Sequence, residues 1–167
     1  MKLELIRWSE NELEAFAQVF TRVDRRYLAD GLPMPYTAED ARRWLNDVVS
    51  KKEGTDGLFR ILRIDGRCVG DVAVQRKENV YARDADIGYL LLDEYHGQGV
   101  MTEAVRRACA EAFETLDLLR ISARVCAPNL ASRRVLEKNG FELEGVMRRA
   151  VCKSGEIYDL LLFGKLR

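Results

Sequence analysis

Residues 87–104 read IGYLLLDEYHGQGVMTEA, and this stretch decides the fold. An apolar run predicts a strand, two glycines follow it, and an amphipathic helix begins at Val100. Glycine lets the backbone curl until several N–H groups point the same way, and the helix dipole adds positive potential there. Because helix N-termini bind anions, this order of elements predicts a site for a phosphate or pyrophosphate.

Two familiar phosphate-binding motifs do not fit this loop. A Walker A loop places a lysine before its serine or threonine, and here Met101 precedes Thr102. A Rossmann fingerprint would need a third glycine at position 102. With Gly97 and Gly99 alone, the loop is open to two interpretations, an anion site or a plain structural turn.

The composition is that of an ordinary globular chain. Its 167 residues suit one domain over 1–167, with 47% hydrophobic and 32% charged residues. The 27 basic and 27 acidic residues cancel, so the charge favours neither nucleic acid nor a membrane as a partner. No apolar run approaches a membrane span, and no signal peptide is expected after Met1.

Cysteine and histidine usage narrows the chemistry further. The cysteines are far apart and form no C-x-x-C pair, and each lies in a largely apolar segment: Cys68, Cys109, Cys126 and Cys152. This spacing predicts buried, reduced thiols and a cytoplasmic location. Because His96 is the only histidine, a metal site built from several histidines is excluded, and no metal is predicted.

Hydrophobic periodicity predicts the order β-α-α-β-β-β-α-β-α-β-β, a mixed α/β domain. Ser9 and Glu12 are typical of a capping box that opens the first helix, and Thr37 is predicted to cap the second. The Asp65-Gly66 pair is the strongest hairpin signal. Strands are predicted over 3–8, 58–64, 68–75, 86–92, 120–126, 141–151 and 157–163, and later helices over 100–116 and 129–139, the last ending at Gly140.

A second motif follows the predicted strand over 120–126. Residues 129–136 read NLASRRVL, which places Asn129 and Ser132 about one helical turn apart at the start of a helix. Helix capping explains an asparagine there on backbone grounds alone. Capping and contact with a ligand are compatible, so both interpretations stay open.

Together these segments resemble the GNAT acetyltransferases, and more narrowly the RimJ/RimL branch, which acetylates protein N-termini and related amines. The resemblance covers nearly the whole chain and is carried by DIGY at 86–89, GQGVMTEA at 97–104, NLASRRVL at 129–136, NGF at 139–141 with EG at 144–145, and LPMPYT at 32–37. It implies a mostly antiparallel sheet flanked by about four helices. The strands over 86–92 and 120–126 would form a splayed parallel pair.

The resemblance implies acetyl-CoA as cosubstrate, bound in that splay. Pantetheine would pair with the backbone near Leu91 and Leu92, an N–H near Leu92 would stabilise the oxyanion, and Asn129 would hold the pantetheine amide. The pyrophosphate would take N–H bonds from Gly97, Gln98, Gly99, Val100, Met101 and Thr102. Two positions depart from the family pattern. His96 stands where glutamine or arginine is usual, and Met101, in place of a small residue, is expected to limit the approach of the backbone to the phosphates.

Acetyl transfer to an amine needs a neutral nitrogen and a proton for the leaving thiol. At pH 7 about one lysine amine in a few thousand is neutral, against roughly one α-amine in ten. A lysine acceptor therefore depends on a general base more than an N-terminal acceptor does. The resemblance places that base at Asp86, acting through water, and the acid at Ser132, because the helix over 129–139 lacks the usual tyrosine. A solvated strand-end charge and a first-turn helix residue are the alternatives for Asp86 and Ser132.

The sequence therefore predicts an acetyl-CoA-dependent N-acetyltransferase that acts by direct attack in a ternary complex. The acceptor is a primary amine, either a protein N-terminal α-amine or a small-molecule amine, and residues 30–37 are expected to lie over its site. Two other functions stay open, a CoA-binding sensor without turnover and a binder of other nucleotides. The sequence is compatible with either a monomer or a homodimer.

Overall fold

Seven strands form one sheet in the computed structural model, which describes residues 1–167. They are β1 Leu3–Arg7, β2 Gly57–Ile64, β3 Arg67–Arg76, β4 Asp84–Leu91, β5 Arg120–Cys126, β6 Glu142–Lys153 and β7 Glu156–Leu166. Their order across the sheet is β1-β2-β3-β4-β5-β7-β6, and every neighbouring pair is antiparallel except β4 with β5. The predicted order of elements and the mostly antiparallel sheet are confirmed.

Four helices cover the sheet: α1 Leu13–Arg22, α2 Ala38–Trp44, α3 Val100–Thr115 and α4 Leu130–Lys138. A π-helical turn over Leu45–Val49 and a short turn over Ser50–Lys52 extend α2. The predicted cap of α2 is confirmed, because the Asp40 N–H donates to the Thr37 hydroxyl and the Thr37 N–H donates back to the Asp40 carboxylate.

The capping box predicted at Ser9 is wrong. Ser9 makes no side-chain hydrogen bond, and residues Glu10–Glu12 form a 3₁₀ turn ahead of α1. The carboxylate that would complete the box belongs to Glu12, which is buried and pairs instead with the guanidinium of Arg63 on β2. A tertiary ion pair has therefore taken the place of the predicted local hydrogen bond.

The sheet buries both of its faces. On one face, which we call the α3 face, Val72, Ile87 and Ile121 pack against α3. On the opposite face, the α1 face, Phe59 and Ile61 pack against α1 and α2. Since successive side chains of a strand point to opposite faces, each central strand contributes to both cores.

Turn chemistry accounts for the ends of the elements. Asp65 and Gly66 both have positive φ, 48° and 81°, which is the conformation that a two-residue hairpin requires. Gly140 has φ 76° just beyond α4, as predicted. The strand over 120–126 is confirmed to the residue, while β6 and β7 run longer than predicted.

The parallel pair β4–β5 is joined only at its start. Asp84, Ala85 and Asp86 pair with Arg120, Ile121 and Ser122, and no pairing follows. Beyond that point β4 stays paired with β3 as far as Leu91, and β5 stays paired with β7 as far as Cys126. The two strands therefore separate after Asp86, which confirms the predicted splay.

The four thiols are free, but they are not equally buried. Cys109 and Cys126 are buried and Cys68 is partly buried, as predicted, whereas Cys152 is exposed. Cys152 lies on β6, an edge strand with one neighbour, where its apolar surroundings in sequence do not become a core. No helix of the structure has the length and apolar character needed to cross a bilayer.

Candidate active site

A cleft of about 1010 Å³ opens where β4 and β5 separate. The segment after α1, residues 23–29, forms a further wall. Most of the residues predicted for the site line this cleft, namely Leu91, Gly97, Gly99, Val100, Met101, Thr102, Asn129 and Ser132. Gln98, Leu92 and Asp86 do not line it.

The glycine loop forms one end of the cleft. Gly97 and Gly99 have φ 73° and 79°, in the left-handed region that glycine reaches without strain. Gly99 is the N-cap of α3, a helix of 16 residues, and no side chain caps this end. The Gln98 amide instead donates to the Glu94 carbonyl at 2.7 Å, which closes the loop from outside the cleft. The first N–H groups of α3 thus have no competing side-chain acceptor.

The two departures from the family pattern have structural roles. Met101 is only 7% exposed and packs into the core beneath α3. Met101 also lines the cleft, so the expected restriction on the approach of the backbone to the phosphates stays a prediction. The His96 Nε2 lies 3.0 Å from the Leu91 carbonyl oxygen and ties the loop to the end of β4.

The N–H of Leu92 is not available to a ligand. Its N–H donates to the Val69 carbonyl at 2.9 Å, and its carbonyl accepts from the Tyr95 N–H at 3.0 Å. Since alternate residues of a strand direct their backbone groups to opposite sides, the backbone groups of Leu91 and Tyr89 point into the splay. An oxyanion donor near Leu92 stays a prediction, and the structure leaves Leu91 and Tyr89 as the nearby residues whose N–H groups point that way.

The first turn of α4 forms the wall of the cleft that faces β4. The Asn129 side-chain carbonyl accepts from the Ser132 N–H at 3.1 Å, so Asn129 is a helix cap and its amide NH₂ group stays free. The Ser132 hydroxyl lies 2.7 Å from the hydroxyl of Tyr89 on β4. Burial raises the pKa of Tyr89 to about 12, which keeps this phenol neutral at physiological pH.

Asp86 lies at the closed end of the splay and faces two cations. Its carboxylate lies 3.5 Å from the Lys77 Nζ and 3.3 Å from an Arg124 guanidinium nitrogen. The neighbouring Asp84 takes the closer contact with Lys77, at 2.5 Å, and also accepts from the Ser122 hydroxyl. Asp86 is thus one member of a charged network.

Comparison with known proteins decides the family. Residues 2–142 match the family described as the acetyltransferase (GNAT) domain. The chain belongs to the GNAT acetyltransferase family. The prediction of an N-acetyltransferase is thereby confirmed at the level of the family.

Curated relatives agree with this assignment. The chain is 38% identical over 124 residues to the probable N-acetyltransferase YjcK of Bacillus subtilis, covering 72% of this chain and 67% of the relative. It is 26% identical to the ribosomal-protein-serine acetyltransferase of Escherichia coli, covering 98% of this chain and 92% of the relative. For the first three curated relatives the aligned region spans only part of their length, 67%, 61% and 44%.

A solved structure shows the same fold. Mycobacterium smegmatis RimJ in complex with CoA-disulfide superposes with a TM-score of 0.84 at 22% identity, covering 98% of this chain and 81% of that chain. This RimJ structure belongs by name to the branch that the sequence resembles. At this level of identity the superposition establishes the fold.

The segment expected to lie over the acceptor, residues 30–37, does not line the cleft. Residues 23–29 line it, whereas Tyr36, in the segment expected there, packs on Phe20 with ring centroids 4.3 Å apart. Two contacts hold the lining segment against the β6–β7 hairpin: the Tyr27 ring meets the Tyr158 ring at 5.9 Å, and Asp30 accepts from Lys153 at 2.6 Å.

Sequence reasoning missed Tyr89 as the partner of Ser132. The only available signal was a tyrosine in the middle of an apolar strand, and burial of its ring explains that position equally well. Their contact depends on the distance between β4 and α4, which is a tertiary property.

Proposed function

We propose that this protein transfers the acetyl group of acetyl-CoA to a primary amine by direct attack in a ternary complex, with protein N-terminal α-amines as the first acceptor class. The observation that carries the proposal is one continuous cleft with an uncapped glycine-loop helix at one end and the Ser132–Tyr89 hydroxyl pair on its wall. The E. coli relative named as a ribosomal-protein-serine acetyltransferase supports the choice of acceptor.

The residues of the cleft fit acetyl-CoA in three places. The N–H groups of residues 97–102 would bind the pyrophosphate, because left-handed glycines and a helix N-terminus direct donors to one point. The N–H of Leu91, which points into the splay, would pair with pantetheine in the manner of a missing strand, whereas the Leu91 carbonyl already lies 3.0 Å from the His96 Nε2. The free amide NH₂ of Asn129 would donate to a pantetheine carbonyl.

Two negative charges develop during acetyl transfer, on the carbonyl oxygen and on the leaving thiol, and residues of the cleft could stabilise both. The N–H of Leu91 or Tyr89 would stabilise the oxyanion, since both point into the splay. The CoA thiolate, with a pKa of about 8.5, is a weak base and needs only a weak acid. Ser132 would supply that proton, and the Tyr89 hydroxyl would donate to the Ser132 oxygen as its charge grows.

Sequence reasoning proposes Asp86 as the base that takes a proton from the amine. It lies on the α1 face of the sheet, the face of β4 opposite the α3 core. Its carboxylate already has two cationic partners in the structure, Lys77 and Arg124. An acceptor ammonium group would therefore have to compete with these two cations for Asp86.

Release of free thiol from acetyl-CoA tests the proposed function directly. The acceptor panel contains α-amine peptides, lysine peptides, polyamines and aminoglycosides, and we expect α-amine peptides to react fastest. Tight binding of acetyl-CoA without thiol release on any amine would favour the sensor alternative. Competition between ATP and acetyl-CoA would favour the binder of other nucleotides.

The proposal also covers the domain bounds, the compartment and the partners of the enzyme. We take residues 1–167 as one GNAT domain, because all seven strands share one sheet. The four free cysteines fit a reducing compartment such as the cytoplasm. Neither nucleic acid nor a membrane is proposed as a partner, since the formal net charge is zero. Sedimentation would distinguish a monomer from a homodimer.

A further inference from the structure

The α1 face of the sheet has a small open area beside the splay. Gly88 on β4 pairs with Ala73 on β3, and both positions present almost no side chain. Gly88 is exposed, and nothing lies within 4 Å of the point where a Cβ would stand. Since Gly88 also lines the cleft, this area gives an acceptor amine access to the strand that would hold the thioester.

Two carboxylates border this area, one at each end. Asp86 pairs with Gln75 on one side, and Asp71 pairs with Leu90 on the other. Residues 86, 88 and 90 of β4, and their partners on β3, all face the same side because side chains alternate along a strand. Each carboxylate thus stands two residues, about 7 Å along the strands, from the Gly88–Ala73 pair.

Asp71 differs from Asp86 in having no partner. No hydrogen bond and no ion pair reaches its carboxylate, and it is partly exposed beside Ala73 and Leu90, which join the apolar core under α1. Burial raises the pKa of Asp71 to about 7. The titratable groups that sense its charge are Tyr36, from the segment before α2, and Cys68, from β3 itself. Both are neutral at pH 7, because burial raises each pKa to about 12.

An unpaired carboxylate in such surroundings does not stabilise the fold. Taking a charged group out of water is unfavourable unless a partner compensates for it, and Asp71 has none. A group of this kind is suited to a cationic or proton-donating ligand, which would supply the missing partner. An alkylammonium ion over Gly88 is such a ligand.

We propose that the Asp71 carboxylate, rather than that of Asp86, binds the acceptor ammonium group and takes its proton. The inference rests on the proposed function, because it assigns a residue to that same reaction. The ammonium group gives one proton to Asp71, which passes it to solvent. The neutral nitrogen then attacks the thioester carbon, the C–S bond breaks, and the thiolate takes a proton from Ser132. The second nitrogen proton returns to Ser132 as the amide forms.

The pH dependence of kcat/KM for an α-amine peptide tests this assignment. We expect Asp71→Asn to lower kcat/KM about 100-fold at pH 7, within the usual range for loss of a general base. The deficit should shrink toward pH 9, because an α-amine with a pKa near 8 is then already neutral. Asp86→Asn should cause a smaller loss than Asp71→Asn at pH 7.

Two controls separate this role from a structural one. The Kd for acetyl-CoA should be the same in Asp71→Asn and wild type, and the melting temperature should show that the variant is folded. Asp47→Asn, an exposed change that pairs only with Lys51, serves as the matched control and should leave kcat/KM unchanged.

The outcomes of these measurements distinguish a wrong assignment of Asp71 from a wrong proposed function. Activity of Asp71→Asn within threefold of wild type at pH 7, a deficit that is constant with pH, or a larger loss in Asp86→Asn would each overturn the assignment of Asp71. A wild-type protein that releases no thiol with any amine would instead refute the proposed function, and the assignment of any base with it.

Discussion

The hydroxyl oxygens of Tyr89 and Ser132 lie 2.7 Å apart, and this contact joins the middle of β4 to the first turn of α4. The Tyr89 hydroxyl also lies 3.3 Å from the Ser132 carbonyl oxygen, to which it can donate. Because Tyr89 is held by the core on the α3 face, it orients a serine that belongs to the other wall of the cleft. The two walls of the splay are therefore chemically connected at the proposed site of thiol release.

The first prediction concerns this pair. Ser132→Ala should lower kcat about 100-fold, because the leaving thiolate loses its proton donor. Tyr89→Phe should lower kcat about tenfold, since Ser132 remains but is no longer oriented or hydrogen-bonded by the phenol. Steady-state rates at saturating acetyl-CoA, on an amine shown to react, measure both effects.

Ser9→Ala is a suitable control for these rates. Ser9 occupies an N-cap position but makes no side-chain bond, so its replacement should change neither rate nor stability appreciably. Near-normal turnover in Ser132→Ala would remove this residue from the mechanism while leaving the fold assignment intact.

The second prediction concerns the glycine loop. Gly99→Ala should weaken acetyl-CoA binding about tenfold, because a residue with a Cβ disfavours φ 79° and the loop would shift to relieve the strain. Gly155→Ala is the matched control. It has φ 81° in the β6–β7 turn, with the same open space around the missing Cβ.

Calorimetric titration and thermal melts distinguish the two variants. Both should lose about 1 kcal/mol of stability from the same backbone strain, and only Gly99→Ala should lose affinity for acetyl-CoA. Equal affinities in the two variants would mean that the glycine loop does not contact the cosubstrate.

The third prediction concerns stability and the charge of Asp71. Its pKa is raised from the ordinary value of 3.8 to about 7, so the folded protein binds this proton more tightly than the unfolded chain does. Stability from this group is therefore greatest below pH 4 and is lost as the pH rises toward 7. After allowance for solvent screening, the loss is on the order of 2 kcal/mol.

Asp71→Asn should remove this loss. Its melting temperature should exceed that of wild type by about 4–8 °C at pH 8, and the difference should vanish near pH 4. Calorimetry at the two pH values measures it. A variant less stable than wild type at pH 8 would show that Asp71 has a favourable partner in the folded protein.

The fourth prediction concerns the thiols, which matter because the activity assay detects free thiol. Cys152 is exposed and should react rapidly with a disulfide reagent at pH 7.5. Burial raises the pKa of Cys68 to about 12 and that of Cys109 to about 11, so these two should react only on unfolding. Cys152→Ser should therefore remove most of the fast background, as measured by counting thiols in native and denatured protein.

The fold could be predicted largely from sequence, because its signals are local. A strand followed by two glycines and a helix is encoded within residues 87–104, and each part depends on the φ preferences and periodicity of neighbouring residues. The same holds for the cap at Thr37 and the stop at Gly140, and both are confirmed. Linked segments of this kind were sufficient to identify the family.

The tertiary structure alone decided which groups are free to act. The N–H of Leu92 is engaged because it points toward β3, and the Glu12 carboxylate pairs with Arg63 instead of completing a capping box with Ser9. Asp71 stands beside the proposed acceptor area because β3 and β4 pair in one particular register. Register between strands depends on which side chains of the two strands are buried together and on the connection between them, so it follows from both strands in place and not from either one alone.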